Sequence, residues 1–382
     1  MAVERALRTA APQDLARAVC GELGRQYGAS SVDLLVVDYG LTVLQPVTDP
    51  PHTRPPVSVH NSPAGRAFAS QEPFVETLGD GRVRAHLPVS VRGDRLGVLT
   101  VTFADAEEGR ACLAELAELA EVLGHEVLIA ERDTDLFLRA RRQDRLTLAA
   151  EMQWQLLPGT SCSRPEFDLG AQLEPAYAIH GDTYDWSATA DGLVLYVANG
   201  MGEGTEAALL TSLAVNALRN ARRAGLPLAD QAALADQAVF GHYGGDRYLS
   251  VLMLDFELGT GRARVVDAGS PRMMRLRQGA VERVAFEPQL PLGMFEETDY
   301  VVQEFRVEPG DRLVFVSDGV YAVASPRGEA YGDTALARAI QATRLLPAAE
   351  VPAAVLRELT GHRGHRTADD DALVVCLDWR GR

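Results

Sequence analysis

Four short segments, spread over the last two hundred residues, constrain this chain more than anything else in it. They are His180-Gly181-Asp182-Thr183-Tyr184-Asp185, Asn199-Gly200-Met201-Gly202-Glu203-Gly204, Ser317-Asp318-Gly319-Val320 and Asp369-Asp370-Asp371. Three of them put carboxylates beside glycine or at strand ends, where a fold can gather oxygen ligands for a hard divalent cation. The second has the same glycine-rich shape but offers a neutral Asn199. A fold that joins these segments must bring together residues more than a hundred positions apart. Turn capping is the competing use for Asp182, Asp318 and Asp370, because aspartate readily bonds nearby backbone amides.

The hydrophobic pattern supplies the frame. Short β-rich runs cover Leu193–Ala198, Tyr248–Phe256, Ala263–Asp267, Met273–Arg277, Val281–Phe286, Val301–Val307, Arg312–Ser317 and Leu373–Leu377. Turns such as Leu258-Gly259-Thr260-Gly261 and Pro309-Gly310-Asp311 separate them. Helical stretches at Thr205–Arg223, Leu228–Val239, Thr334–Thr343 and Val351–Thr360 interrupt the strands. Many strands with a few inserted helices predict a β-sandwich flanked by helices.

Upstream the pattern differs. Leu15, Ala18, Val19 and Leu23 share one helical face, Val32–Asp38 is a short strand, and Pro46–Pro56 reads as loop because proline removes ladder donors. Arg84–Val89 and Leu96–Phe103 predict a hairpin with a longer loop through Val91-Arg92-Gly93-Asp94-Arg95. These elements make a compact α+β unit. From Glu107 to Leu157 there is no proline, and Leu113, Leu116, Leu119, Leu123 and Val127 recur at helical spacing, which predicts a long amphipathic helix. Its second half carries Arg139, Arg141, Arg142 and Arg145, as a connector would. A helix of that length predicts a homodimer; packing on its own sheet is the other use for its first half.

At 382 residues the chain has room for two domains, and its hydrophobic content of 47% can fill their cores. A net charge of −16 argues against a nucleic-acid partner, which needs clustered cations, and against an anionic membrane. No run approaches the roughly 18 apolar residues of a membrane span. Met1-Ala2-Val3-Glu4-Arg5 lacks a signal-peptide layout. Cys20, Cys112, Cys162 and Cys376 have no paired spacing, so a disulfide framework or zinc site is not expected. These features predict a cytoplasmic protein.

Residues 11–130, with Leu87-Pro88-Val89 and Gly97-Val98-Leu99-Thr100-Val101 closing the hairpin, resemble a GAF-type sensory domain. The resemblance implies a pocket for a small ligand, of unknown identity, or a dimerisation module. Residues 131–158 then form a helical connector. The stretch Ala150-Glu151-Met152-Gln153-Trp154-Gln155-Leu156-Leu157-Pro158 and residues 159–382 resemble SpoIIE/RsbU-type phosphatase domains of the metal-dependent PPM family. The matching segments are His180–Asp185, Gly202–Leu209, Ala268-Gly269-Ser270-Pro271, Pro291-Leu292-Gly293-Met294, Pro309–Leu313, Ser317–Val320 and Asp369-Asp370.

That second resemblance implies a pair of Mn²⁺ or Mg²⁺ ions and hydrolysis of phosphoserine or phosphothreonine on a protein. Asp182 matches the first acidic ligand, Asp318 the ligand after a core strand, Asp370 the last, and Gly200 a carbonyl ligand. Asn199 stands where the family has the aspartate that bridges both ions, which puts the second ion in question. An amide has one neutral oxygen and turns positive hydrogens toward a cation. Glu203 could replace the missing charge or could equally be solvated. Asp185, Asp369 and Asp371 read as outer or solvated residues. His180 stands where the family has glycine and reads as a surface histidine. Asp267-Ala268-Gly269-Ser270 replaces an Asn-Ala-Gly-His pattern, and Tyr321-Ala322 replaces Thr-Glu. Two functions follow: a signal-responsive phosphatase acting on a phosphorylated STAS-type anti-anti-sigma protein, or a pseudophosphatase that binds a phosphoprotein without turnover.

Overall fold

A computed structural model describes residues 2–175, 181–332, 334–365 and 370–382. The chain divides into two compact units, Met1–Arg145 and Leu146–Arg382. Among the described residues no helix is long and apolar enough to cross a membrane.

In the first unit, helices α1 (Ala2–Thr9) and α2 (Leu15–Tyr27) lead into strands β1 (Ser31–Val37), β2 (Val43–Pro46) and β3 (Val57–Ser58). Helix α3 (Pro63–Ser70), strands β4 (Phe74–Thr77), β5 (Val83–Val91) and β6 (Asp94–Phe103), and helices α4 (Ala106–Ala111), α5 (Leu113–Ala130) and α6 (Leu136–Ala140) complete it. The sheet is antiparallel, in the order β3-β2-β1-β6-β5-β4. Strand alternation splits its side chains between two cores. Leu34, Val36, Leu87, Leu99 and Val101 pack with α2 and α5, whereas Leu35, Val37 and Val98 pack with Ala64 and Phe68 of α3. Such fully buried side chains stabilise by about 1.5–3 kcal/mol each. The β5–β6 connection is tighter than the expected longer loop. Only Arg92 and Gly93 lie between the strands, at φ 52° and 91°, the left-handed pair that matches strand twist.

The long helix expected over Glu107–Leu157 is instead four segments, α4, α5, α6 and α7 (Leu148–Leu156). Asp133, Thr134 and Asp135 interrupt it with side chains that compete for backbone bonds. Thr147 then starts α7 as a cap, accepting from the Ala150 amide at 3.1 Å. Leu136, Phe137 and Ala140 are buried in the first unit's core, while α7 packs on the second. The homodimer thus loses the continuous helix it was inferred from.

One histidine in this sheet is buried. His86 of β5 meets Thr100 through Nδ1 and Glu76 through Nε2, both at 3.1 Å, with Phe74 stacked alongside and Arg84 near Glu76. Burial lowers its pKa below 6.5 and outweighs the opposing pull of Glu76. The unfolded imidazole therefore protonates first. Stability is full above about pH 6.5 and falls as pH drops toward the folded pKa. The thermal midpoint of the full chain should decline between about pH 7 and pH 5, and His86→Gln should flatten that slope. Equal slopes in the two proteins would remove the histidine as the cause.

The second unit is a two-sheet sandwich. After α7 come β7 (Ser161–Ser163), β8 (Phe167–Glu174), β9 (Asp182–Ala188), β10 (Gly192–Gly200), α8 (Gly204–Arg223) and α9 (Leu228–Tyr243). Strands β11 (Leu249–Glu257), β12 (Arg262–Ala268), β13 (Arg272–Arg277), β14 (Ala280–Val284), β15 (Gln303–Arg306) and β16 (Arg312–Val316) follow. Helices α10 (Asp318–Tyr321), α11 (Ala335–Ala342) and α12 (Val351–Arg363) and strand β17 (Ala372–Trp379) end it. The sheets run β15-β12-β11-β10-β9 and β14-β13-β16-β17-β8-β7. The sandwich expected from the hydrophobic pattern is present, with helices on both outer faces.

Alternation again assigns the faces. Tyr196, Ala198, Val251 and Met253 pack under α8 and α9, and Val314, Val316, Val374 and Cys376 under α11 and α12. Their neighbours Leu195, Val197, Leu313, Phe315, Val375 and Leu377 are buried on the opposite faces. The Phe256 and Trp379 rings meet at 5.7 Å and join the two sheets. By the same alternation Asn199 points inward from the end of β10.

Candidate metal centre

The acidic segments converge at one end of the sandwich because the strands that carry them are neighbours. Asp182 opens β9 and pairs in register with Asn199 near the end of β10. Ser317 and Asp318 follow β16, and Asp370 and Asp371 precede β17, which pairs with β16. Gly319 makes the approach possible: a Cβ there would lie 1.7 Å from the Asp371 carbonyl oxygen. Asp182, Asn199, Asp318 and Asp370 are thus brought together. Gly200 ends β10 beside them, its amide donating to the Gly181 carbonyl at 3.2 Å.

Asp182 is 2% exposed, and one of its carboxylate oxygens has no hydrogen-bond partner among the described residues. Burial drives its pKa well up, the Asp371 carboxylate adds to that, and Asp318 and Asp370 add further; a hydrogen bond with the Ser317 side chain opposes them. Asp371, expected to be outer or solvated, is fully buried. Its Oδ2 accepts the Gly181 amide at 2.8 Å and the Asp182 amide at 3.3 Å. Asp370 accepts the Asp371 amide at 2.8 Å through Oδ1.

Asn199 makes the decisive contact. Its Nδ2 donates to Asp318 Oδ1, which also accepts the Gly319 amide at 3.1 Å. The reverse amide orientation would set a carbonyl oxygen against a carboxylate, so the donor orientation is the stable one. The amide thereby satisfies one carboxylate oxygen of Asp318 with a hydrogen-bond donor.

Among the described residues no three His, Cys, Asp or Glu side chains are arranged to hold a metal ion. The chemistry still fits a hard cation beside Asp182, where the side chains that act on the buried carboxyl are three carboxylates and one hydroxyl, all oxygen groups. It does not fit a second cation on the Asn199 side.

Around the cluster stand residues that the sequence named, Ser317 and Asp185, and two, Gln153 and Thr211, to which it gave no part in the site. Gln153 of α7 donates to the Asp182 carbonyl at 2.7 Å. Thr211 of α8 donates to the Gly181 carbonyl at 3.1 Å, and Ser317 Oγ accepts the Leu373 amide at 3.0 Å. Gln153 and Thr211 sit on helix faces whose periodicity reads as packing, so only their tertiary partners reveal them. Asp185 is buried, not solvated: Arg219 reaches it at 2.6 Å and Arg222 at 2.9 Å. Glu203 precedes α8 at the cap position, exposed and without a side-chain cap bond. His180 and Asp369 lie outside the described residues.

Comparison with known proteins places the second unit's fold in a family. Residues 189–380 match the model of the family described as Stage II sporulation protein E (SpoIIE). Phosphoserine phosphatase RsbU of Bacillus subtilis (strain 168) is 22% identical over 209 residues, 54% of this chain and 62% of RsbU. The chain therefore spans less than two thirds of that curated relative. The SiaA PP2C domain of Pseudomonas aeruginosa superposes with a TM-score of 0.51 at 20% identity, covering 61% of this chain and 94% of that one. The PP2C phosphatase domain of SpoIIE from Bacillus subtilis, with a fragment of its regulatory domain, gives 0.50 at 18% identity over 58% and 66%. The RsbU and RsbW domains of a Mycobacterium tuberculosis protein give 0.50 at 23% over 57% and 61%. With the family match spanning half the chain and the sandwich shared with PP2C-type phosphatases, this protein belongs to the SpoIIE family of metal-dependent phosphatases.

Proposed function

We propose that Leu146–Arg382 is a phosphoprotein phosphatase domain working with an incomplete metal centre. The observation that carries this reading is the buried carboxylate cluster of Asp182, Asp318, Asp370 and Asp371 at one end of the sandwich. Asp182, Asp318, Asp370 and the Gly200 carbonyl would hold the cation, with Oδ1 of Asp318 already bonded to Asn199 and the Gly319 amide. A bound Mn²⁺ or Mg²⁺ would supply Lewis acidity toward water and phosphoryl oxygen. The chain's own contribution is orientation. Asp371 holds the Gly181 and Asp182 amides, Ser317 bonds the Asp182 side chain, and Gln153 fixes the Asp182 carbonyl. The substrate class is phosphoserine or phosphothreonine on a regulatory protein of STAS type, in partner-switching control of transcription. The first unit acts in this reading as a GAF-type sensor for a small ligand, residues 131–158 as the link between sensor and phosphatase, and exposed Leu128 and Ile129 of α5 as a surface for a homodimer.

The Asn199–Asp318 bond favours a second reading, in which the domain binds the phosphoprotein without turning it over. Manganese-dependent hydrolysis of p-nitrophenyl phosphate and of a phosphoserine peptide separates the two. Turnover that Asp318→Ala abolishes supports the phosphatase. Phosphopeptide binding without turnover supports the binding module, and neither activity would reject both.

A further inference from the structure

Three segments, residues 201–209, 244–248 and 290–299, meet beside the end of β10 and border the carboxylate cluster there. Register sets Gly200 opposite Leu249, and the Met201 amide donates to the Tyr248 carbonyl at 3.2 Å. Arg247 pairs with Glu206 of α8, which ties the first two segments together. Leu249 and Leu292 exchange backbone bonds at 3.0 and 2.9 Å, and the Gly293 amide donates to buried Asp236 of α9 at 2.7 Å. The third segment is thereby fixed against the second, and the Met294 carbonyl comes so close that a Cβ on Gly245 would lie 3.1 Å from it.

Two properties of this border point to a partner. Met201 and Leu209 from the first segment and Phe295 from the third are exposed. Leu209 lies three residues after Glu206 on α8 and so shares its face, the one turned to Arg247. Exposed apolar side chains within a polar rim mark an interaction surface. The rim is acidic. Arg247 is the one cation in the three segments and is committed to Glu206, whereas Glu203, Asp246, Glu296, Glu297 and Asp299 are exposed and form no ion pair among the described residues. A phosphate crossing such a rim meets like charge, so the chain that carries it needs cations of its own.

We propose that this border docks the phosphoprotein substrate through a basic stretch of chain beside its phosphoserine, with apolar residues among the lysines or arginines to meet Met201, Leu209 and Phe295. This rests on the phosphoprotein reading above, in either its catalytic or its binding form. Charge selects that occupant over a second copy of this chain, whose net charge of −16 would set like against like.

The test is fluorescence anisotropy of three labelled peptides with the full chain in MnCl₂. The first holds a non-hydrolysable phosphonate analogue of phosphoserine among lysine and leucine residues. The second has glutamine for each lysine, and the third is the first with plain serine. The native protein should bind the first roughly tenfold more tightly than the second, a margin that shrinks at high ionic strength. Glu296→Gln combined with Glu297→Gln should weaken the first peptide roughly threefold to tenfold and leave the second unchanged. Phe295→Ser should weaken both. Equal affinity for the two phosphonate peptides, each above the serine twin, overturns the docking surface and leaves the phosphoprotein reading standing. A first peptide that binds no better than its serine twin overturns that reading and this occupant with it. If Phe295→Ser changes the mass in light scattering and spares every peptide affinity, the surface belongs to a second copy and the proposal fails.

Discussion

Asn199→Asp is expected to reverse the protein's response to manganese. In EDTA the variant should unfold at a lower temperature than the native chain. It loses the amide donor to Asp318, a hydrogen bond to a charged group of about 1.5–3 kcal/mol, and adds a carboxylate beside Asp182, Asp318, Asp370 and Asp371. In excess Mn²⁺ the order should invert, because the same added charge now faces a cation. At ligand distance and an effective dielectric of 20 that attraction is roughly 7 kcal/mol before desolvation. Even a third of it would raise manganese affinity more than tenfold. Calorimetric titration with Mn²⁺ and thermal unfolding in EDTA and MnCl₂ measure both sides, with p-nitrophenyl phosphate hydrolysis alongside. If the variant is no less stable than the native protein in EDTA, the Asn199–Asp318 bond is not holding the cluster together. If manganese fails to invert the order, the cluster is not a cation site.

Removing Arg219 should cost nearly as much by a different route. Asp185 is buried at 2% side-chain exposure and is held by Arg219 and Arg222, themselves 17% and 14% exposed. Deleting one partner of a buried pair leaves an uncompensated charge, a loss of about 3–5 kcal/mol in comparable cases. Arg222 remains in Arg219→Ala, so the low end, about 3 kcal/mol, is expected. Arg219 also donates to the Leu156 carbonyl at 2.6 Å and so ties the end of α7 to β9. Without it, α7 and its Gln153 bond to the Asp182 carbonyl should loosen, and metal affinity should fall with stability. Arg219→Lys should recover little, since one ammonium cannot bridge the carboxylate and the carbonyl as the guanidinium fork does. Urea unfolding of the two variants and of Asp185→Ala with Arg219→Ala combined gives the test. The double variant should cost less than the sum of its parts. A loss under about 1 kcal/mol for Arg219→Ala would mean that the pair behaves as a surface ion pair.

Much of this protein was legible in its residues. Alternation placed β10 to β13, β16 and β17 close to where they lie, and helical periodicity located α8 and α9. The acidic segments pointed to Asp182, Asp318 and Asp370, which the fold does gather. The misses have two causes. β8 and β9 were overlooked because buried polar residues such as Gln172, Asp182, Thr183 and Asp185 break the apolar signal that marks a strand. The helix over Glu107–Leu157 looked continuous because its apolar spacing outlasts the backbone, which turns at Asp133–Asp135 and restarts at Thr147.

What the residues determined alone is the local chemistry: which segments of the second unit alternate as strands, which turns carry carboxylates, and that a neutral amide stands at residue 199 among them. Only the tertiary structure decided what that amide does. Asn199 and Asp318 are 119 positions apart, and their contact depends on the register of β10 in one sheet and β16 in the other. Asp371 became a buried acceptor and Asp185 a buried ion pair for the same reason. A side chain's identity is local, but its burial and its partner are set by which distant strand end arrives beside it.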